Sequence, residues 1–187
     1  MQAQTAVLSA PSLTGRRVIA VLLGVAVVAL AAQIAIPLPG TPVPMTLQPL
    51  AVLIVGGLLG PRLGAASLLS YLALGAAGLP IFTPFGAPGV ARLFGPTGGY
   101  LLAYPIAAYA VGRLAGDGRR WARLALAVLA GLALIHLGGL AQLLIITHSL
   151  RDAARLGTWP FLLGDLAKLI IAGALLRPAL SPLRARL

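Results

Sequence analysis

The chain contains no cysteine, no glutamate, one lysine and only three aspartates in 187 residues. Without cysteine there are no disulfides and no thiolate metal sites. Charged residues make up 9% of the chain and aromatic residues 5%, whereas 59% is hydrophobic. A water-soluble domain carries roughly 25% charged residues to solvate its surface. This shortage excludes a soluble globule, and the mean hydropathy of +1.00 places most of the surface against lipid. The net charge of +11 does not indicate a nucleic-acid partner, because the basic residues stand singly or in small groups between apolar runs. Glycine (23 residues) and proline (15 residues) are abundant but follow no collagen-like period, and the long apolar runs exclude a disordered chain.

Continuous apolar runs of this kind predict an all-α polytopic membrane protein, since barrel strands alternate in polarity over about ten residues. A first span is predicted over 18–36. No A-x-A cleavage site follows it, so it reads as a retained helix. The next run extends without a break from Met45 to Gly78 except at Gly60-Pro61-Arg62. It is too long for one crossing, and proline is poorly tolerated beyond a helix's first turn. The sequence therefore predicts two short helices, 46–59 and 62–78. Further spans fall at 98–114, 121–146 and 159–176, giving six transmembrane helices in one compact bundle comprising a single domain, 1–187.

Charge placement supports an even count. With both termini on one side, Arg16, Arg17, Arg62, Arg113, Arg119, Arg120, Arg123, Arg177, Arg184 and Arg186 share that side. The opposite side receives Arg92, Arg151 and Arg155. By the positive-inside rule both termini are expected to be cytoplasmic.

Irregular backbone gathers at the opposite side. Pro37-Leu-Pro-Gly-Thr-Pro-Val-Pro44 reads either as a stiff connector or as the wall of a pocket. The segment 78–100 is rich in glycine, proline and aromatic residues but almost uncharged, a composition suited to backbone packed on protein or a cavity. Phe82, Phe85, Phe94 and Tyr100 then supply either apolar ligand contacts or interfacial anchors.

The most informative residues are Asp165 and Lys168. They lie three apart, near one face of the last span, in the half toward the irregular loops. Such charges cost several kcal/mol in hydrocarbon unless they are paired or face a cavity. One reading is an ion pair that fixes helix packing; the other is a ligand site or ion path. A carboxylate can accept two N–H donors from a urea-like group, and the ammonium can meet an anionic or carbonyl oxygen. Gln33, Thr46, Gln48, Tyr100 and Gln142 stand at a similar level and form a candidate polar cluster, with helix-packing hydrogen bonds as the alternative. His136, beside Gly138 and Gly139, reads as a packing residue, and His148 falls in a loop. No metal site or cofactor is expected from two histidines without a carboxylate cluster.

Ala20 and Gly24 place small residues four apart on the first helix, as do Gly56 and Gly60 on the second; either pair permits close helix approach within the chain or to a partner. Nucleophile elbow, P-loop and zinc-protease motifs are all missing, so the chain is not expected to be an enzyme or to hydrolyse ATP. From the residues alone, capture of a small polar solute, ion-coupled secondary transport and a non-transport membrane scaffold all remain open.

Five segments in order carry a family resemblance: Pro42-Val-Pro-Met-Thr-Leu-Gln48, Gly56-Gly-Leu-Leu-Gly60, 70–82 (Ser-Tyr-Leu-Ala-Leu-Gly-Ala-Ala-Gly-Leu-Pro-Ile-Phe), Phe94-Gly-Pro-Thr-Gly-Gly-Tyr100 and Gly164-Asp-Leu-Ala-Lys168. Together they resemble the BioY family, the biotin-specific substrate-capturing S components of energy-coupling-factor (ECF) transporters. Two segments differ from the family pattern: Pro84-Phe-Gly-Ala-Pro-Gly89 replaces a simpler glycine-pair loop, and Ala20 with Gly24 replaces Ala-x-x-x-Ala. The resemblance implies high-affinity biotin uptake across the bacterial cytoplasmic membrane through an outward-accessible pocket. It places Asp165 on the ureido ring with Lys168 as its basic companion, and Thr46, Gln48 and Tyr100 in matching motif positions. It further implies a transmembrane coupling protein and two ABC-type ATPases as partners.

Overall fold

The structure, a computed structural model, describes residues 12–185 and Leu187. Residues 1–11 and Arg186 of the expected domain lie outside the described residues. Helix α1 covers Leu13–Gln33, and its first turn is capped by the Ser12 hydroxyl, which accepts from the Gly15 amide at 3.2 Å. Two short antiparallel strands, β1 (Ala35–Ile36) and β2 (Met45–Thr46), clamp the base of the proline-rich loop. Helix α2 then runs Gln48–Ala76, α3 Ala91–Phe94, α4 Gly98–Leu114 and α5 Trp121–Thr147. Helix α6 (Leu150–Gly157), a 3-10 turn (Trp159–Phe161) and α7 (Leu162–Arg184) complete the chain.

Helix α2 is two arms. Gly60 has φ 78° and ψ 178°, outside helical geometry, and only glycine occupies this region without strain. The chain reverses there: a Cβ placed on Gly64 would sit 2.9 Å from the Gly56 Cα. The break falls where Gly60-Pro61-Arg62 predicts it. Small residues allow the close packing that follows. A Cβ on Gly56 would meet the Ala108 Cα of α4 at 2.6 Å, and one on Gly138 of α5 would meet the Ala103 Cβ at 2.7 Å. Around this seam α2 packs on α4, α4 on α5, α1 on α2, and α7 on α2 and α5.

Several boundaries differ from expectation. Helix α1 starts five residues earlier than the predicted span and gives way to β1 before Ile36. Thr46 belongs to β2, and its hydroxyl accepts from the Gln48 amide at 3.3 Å, so α2 begins only at Gln48. The segment expected as a loop before the last span contains α6, started by the Ser149 hydroxyl accepting from the Asp152 amide at 3.3 Å. This helix is short and polar, which hides it from a search for apolar runs.

Large apolar side chains face outward along the bundle, among them Leu30, Leu126, Ile145, Leu163 and Ile170. Exposed in this way they are stable only against lipid. Helices over Leu13–Gln33, Gln48–Ala76, Trp121–Thr147 and the combined Leu150–Leu180 stretch are long and apolar enough to cross a membrane. The protein is therefore a multi-pass membrane protein. The start of α1 meets the C-terminal residue: Arg17 donates to the Leu187 carbonyl at 3.0 Å. Nearby, Arg184 donates to the carbonyls of Gly57 (2.6 Å), Gly112 (2.9 Å) and Gly116 (2.9 Å), which tie α7 to the α2 reversal and the end of α4. Arg177 stacks on Trp121 at this same end, with its guanidinium carbon 4.9 Å from the ring centroid.

Candidate binding cavity

At the end of the bundle away from Arg17 and Leu187, the loops close over a cavity. The β1–β2 loop is held down by the Thr41 hydroxyl, which donates to the Leu156 carbonyl of α6 at 2.6 Å. This places Val43 and Pro44 in the cavity wall. The loop after α2 contributes Phe82 and Thr83, α4 contributes Tyr100 and Tyr104, α5 contributes Ile135 and His136, and α7 contributes Asp165 and Lys168. Apolar walls with a few convergent polar groups are the usual make-up of a small-molecule site.

The polar groups are tightly ordered. Lys168 Nζ donates to Asp165 Oδ1 at 2.9 Å, the i,i+3 contact expected from their spacing. Asp165 Oδ2 lies 2.5 Å from His136 Nε2 on α5. Asp165 and Lys168 are 8% and 6% exposed, and both line the cavity. The ion pair is thus buried but not sealed, and ligand capture remains chemically open to it. On the facing wall, Gln48 Nε2 donates to the Tyr71 hydroxyl at 2.6 Å, which in turn donates to the Ile81 carbonyl at 3.0 Å. Phe82 packs edge-on against Tyr71, with ring centroids 5.4 Å apart.

Of the residues singled out from the sequence, Asp165, Lys168, Thr46, Gln48, Tyr100 and Phe82 line this cavity. Tyr100 contributes its ring rather than a free hydroxyl, which donates to the Gly157 carbonyl at 2.5 Å. Three others are held elsewhere. Phe85 and Phe94 are 45% and 76% exposed. Gln142 turns to the outer surface of the bundle, where its amide donates to the carbonyls of Leu93 (3.5 Å) and Gly95 (3.4 Å). Gln33, on α1, donates to the Phe82 carbonyl at 3.1 Å and supports that loop from outside. Gly24 packs inside the chain, since a Cβ there would meet the Ser67 Oγ of α2; with Ala20 it also borders an apolar groove between α1 and α2.

His136 is the site residue missed by the sequence reading as a packing residue. It packs, with its ring 6.2 Å from Tyr100 and 6.5 Å from Phe161 between centroids, but it also holds Asp165. A signal for this existed. A lone imidazole in an apolar helix needs a polar partner, and Asp165 is the single acid within a predicted span.

Arg92 does not reach the cavity but braces its loop. The buried guanidinium donates to the Thr83 hydroxyl (3.0 Å) and carbonyl (2.7 Å), to the Ala87 carbonyl (2.9 Å) and to the Phe85 carbonyl. Burial lowers its pKa from the ordinary arginine value, but an arginine stays charged in proteins, so four carbonyl or hydroxyl oxygens stand in for a counter-ion.

A helical membrane protein with a loop-covered cavity built around a buried carboxylate is, by fold and site, of the solute-capturing class. The sequence matches the BioY family over residues 3–185, and the chain belongs to that family. It is 42% identical over 148 residues to a probable biotin transporter BioY of Pyrococcus horikoshii, covering 79% of this chain and 86% of the relative. To the biotin transporter BioY of Thermotoga maritima it is 38% identical over 147 residues, 79% of this chain and 85% of the relative. The fold matches the crystal structure of the S-component for biotin from an ECF-type ABC transporter with a TM-score of 0.79 and 27% identity, over 87% of this chain and 89% of that one.

Proposed function

We propose that this chain is the biotin-capturing S component of an ECF transporter, with no catalytic chemistry of its own. The observation that carries the reading is the buried Asp165–Lys168 pair set in the wall of an otherwise apolar, loop-covered cavity. Biotin's fused rings suit the apolar walls of Phe82 and Tyr100. One ureido N–H suits the Asp165 carboxylate, with Lys168, Thr46 and Gln48 as further polar contacts. Phe85, Phe94 and Gln142 are left out of this assignment because they lie outside the cavity.

The topology proposed with this function has six crossings of the bacterial cytoplasmic membrane, counting the two arms of α2 separately, in a single domain. Both chain ends, with the arginines that surround them, face the cytoplasm. The cavity then opens to the outside. The groove beside Ala20 and Gly24 faces a transmembrane coupling protein, and two ABC-type ATPases supply the work that this chain cannot generate. Calorimetric titration of purified protein in detergent should give saturable, submicromolar biotin binding. A folded protein that fails to bind biotin contradicts the assignment, and uptake driven by an ion gradient without ATPases favours secondary transport instead.

A further inference from the structure

We propose that His136 is a positioning residue for ligand capture, holding the Asp165 carboxylate in one orientation so that it presents a fixed acceptor site to a ligand N–H donor. The inference rests on the biotin reading above and deepens it.

The geometry begins with the carboxylate. An ionised carboxylate only accepts hydrogen bonds and offers about four lone-pair sites, two on each oxygen. Lys168 takes one site on Oδ1 at 2.9 Å, and His136 takes one on Oδ2 at 2.5 Å. One site on each oxygen is left, and because the two N–H groups of a cyclic urea point away from each other, the carboxylate accepts one of them at a free site. Lys168 by itself pins one oxygen and leaves the carboxylate free to turn about its terminal torsion, which is broad for aspartate. His136, reaching across from α5, pins the other.

The imidazole is arranged for this contact at a cost. Because the carboxylate cannot donate, Nε2 carries the hydrogen, and Nδ1 is left a buried atom with no hydrogen-bond partner among the described residues. A ring placed for hydrogen-bond satisfaction would not leave it so. Tyr100 and Phe161 pack near the imidazole, with ring centroids 6.2 and 6.5 Å away. The titratable side chains of the cavity wall are His136, Asp165, Lys168, Tyr100 and Tyr104.

The test uses three substitutions at one position in the full chain, with biotin affinity measured by calorimetry and folding by gel filtration and circular dichroism. His136→Gln places an amide N–H close to where Nε2 stands; His136→Asn places it near Nδ1; His136→Phe keeps an aromatic ring and removes the donor. The expected result is affinity within about 3-fold of wild type for His136→Gln and a loss of about 10-fold or more for the other two. A role in packing alone would instead spare His136→Phe. Wild-type affinity in His136→Phe, or equal losses in His136→Gln and His136→Asn, overturns the positioning role and leaves the biotin reading intact. Absence of binding by folded wild-type protein overturns both. If His136→Phe does not fold, the Gln and Asn variants decide the matter between them.

Discussion

Gln48 and Tyr71 are 23 residues apart, yet the Gln48 amide donates to the Tyr71 hydroxyl at 2.6 Å. In an unbroken helix they would stand about 34 Å apart. Their bond closes the α2 hairpin at the end opposite the Gly60 reversal, and it does so in the cavity wall, where Gln48 is exposed to the site. Fold and site share this contact: the tyrosine that joins the two arms also fixes the carboxamide and, through the Ile81 carbonyl, the loop that presents Phe82.

Tyr71→Phe should therefore lower stability more than a surface substitution does. It leaves the Gln48 amide and the Ile81 carbonyl without a shared partner, at a cost of about 1–3 kcal/mol for a buried polar group left unpaired. Thermal unfolding in detergent should show a lower midpoint. An unchanged midpoint would mean that the two groups find other partners.

Gly60→Ala tests the reversal itself. At φ 78° and ψ 178° an L side chain is strained by about 1–3 kcal/mol. Among the described residues beyond its own stretch of helix, the atom nearest to a Cβ there is the Arg184 Nε at 3.9 Å. The melting midpoint should fall while the biotin affinity of the folded protein stays within error. Equal stability of the variant and wild type would show that the turn relaxes into another conformation.

Asp165→Asn should weaken biotin binding by about 30-fold or more, because charge-assisted hydrogen bonds are worth about 1.5–3 kcal/mol each. The single variant also leaves Lys168 as an unpaired buried cation, which is costly by about 3–5 kcal/mol. The double variant Asp165→Asn with Lys168→Met removes that penalty. It should regain thermal stability without regaining affinity. Restored binding in the double variant would remove Asp165 from the ligand's contacts and leave it a structural partner of Lys168.

Arg92→Ala should act on the loop over the cavity. The guanidinium ties together Thr83, Phe85 and Ala87, and Thr83 is part of the wall. Freeing that loop should raise the dissociation rate of biotin several-fold with little change in association, as most interface changes do. Stopped-flow or label-release measurements separate the two rates. Identical release from variant and wild type would show that this loop does not retain the ligand.

The membrane character, the positions of the long helices and the break at Gly60 could be read from the sequence because each depends on local composition. An apolar run needs about 20 residues to cross, and a Gly-Pro pair interrupts it wherever it stands. The closeness of Asp165 and Lys168 follows just as locally from three residues of helix. Aromatic placement does not. Phe82, Phe85 and Phe94 sit in one glycine- and proline-rich stretch with the same chemistry, but only Phe82 turns inward among them. The Arg92 braces, the bare Gly75 of α2, where a Cβ would strike the Phe82 ring, and the Gln33 contact decide that, and none has a periodic signature.

By itself the sequence determined that this chain lives in lipid, where its helices break, and which carboxylate and ammonium share a face, since spacing along one helix settles such questions. Only the tertiary structure decided that His136, 29 residues before Asp165 in the chain, meets its other oxygen. It also decided that the Tyr100 hydroxyl is committed to Gly157. Those meetings depend on how α4, α5, α6 and α7 are rotated and packed against one another. Rotation between helices is set by side-chain interlock and close glycine contacts across the whole bundle, not by a pattern within any one segment.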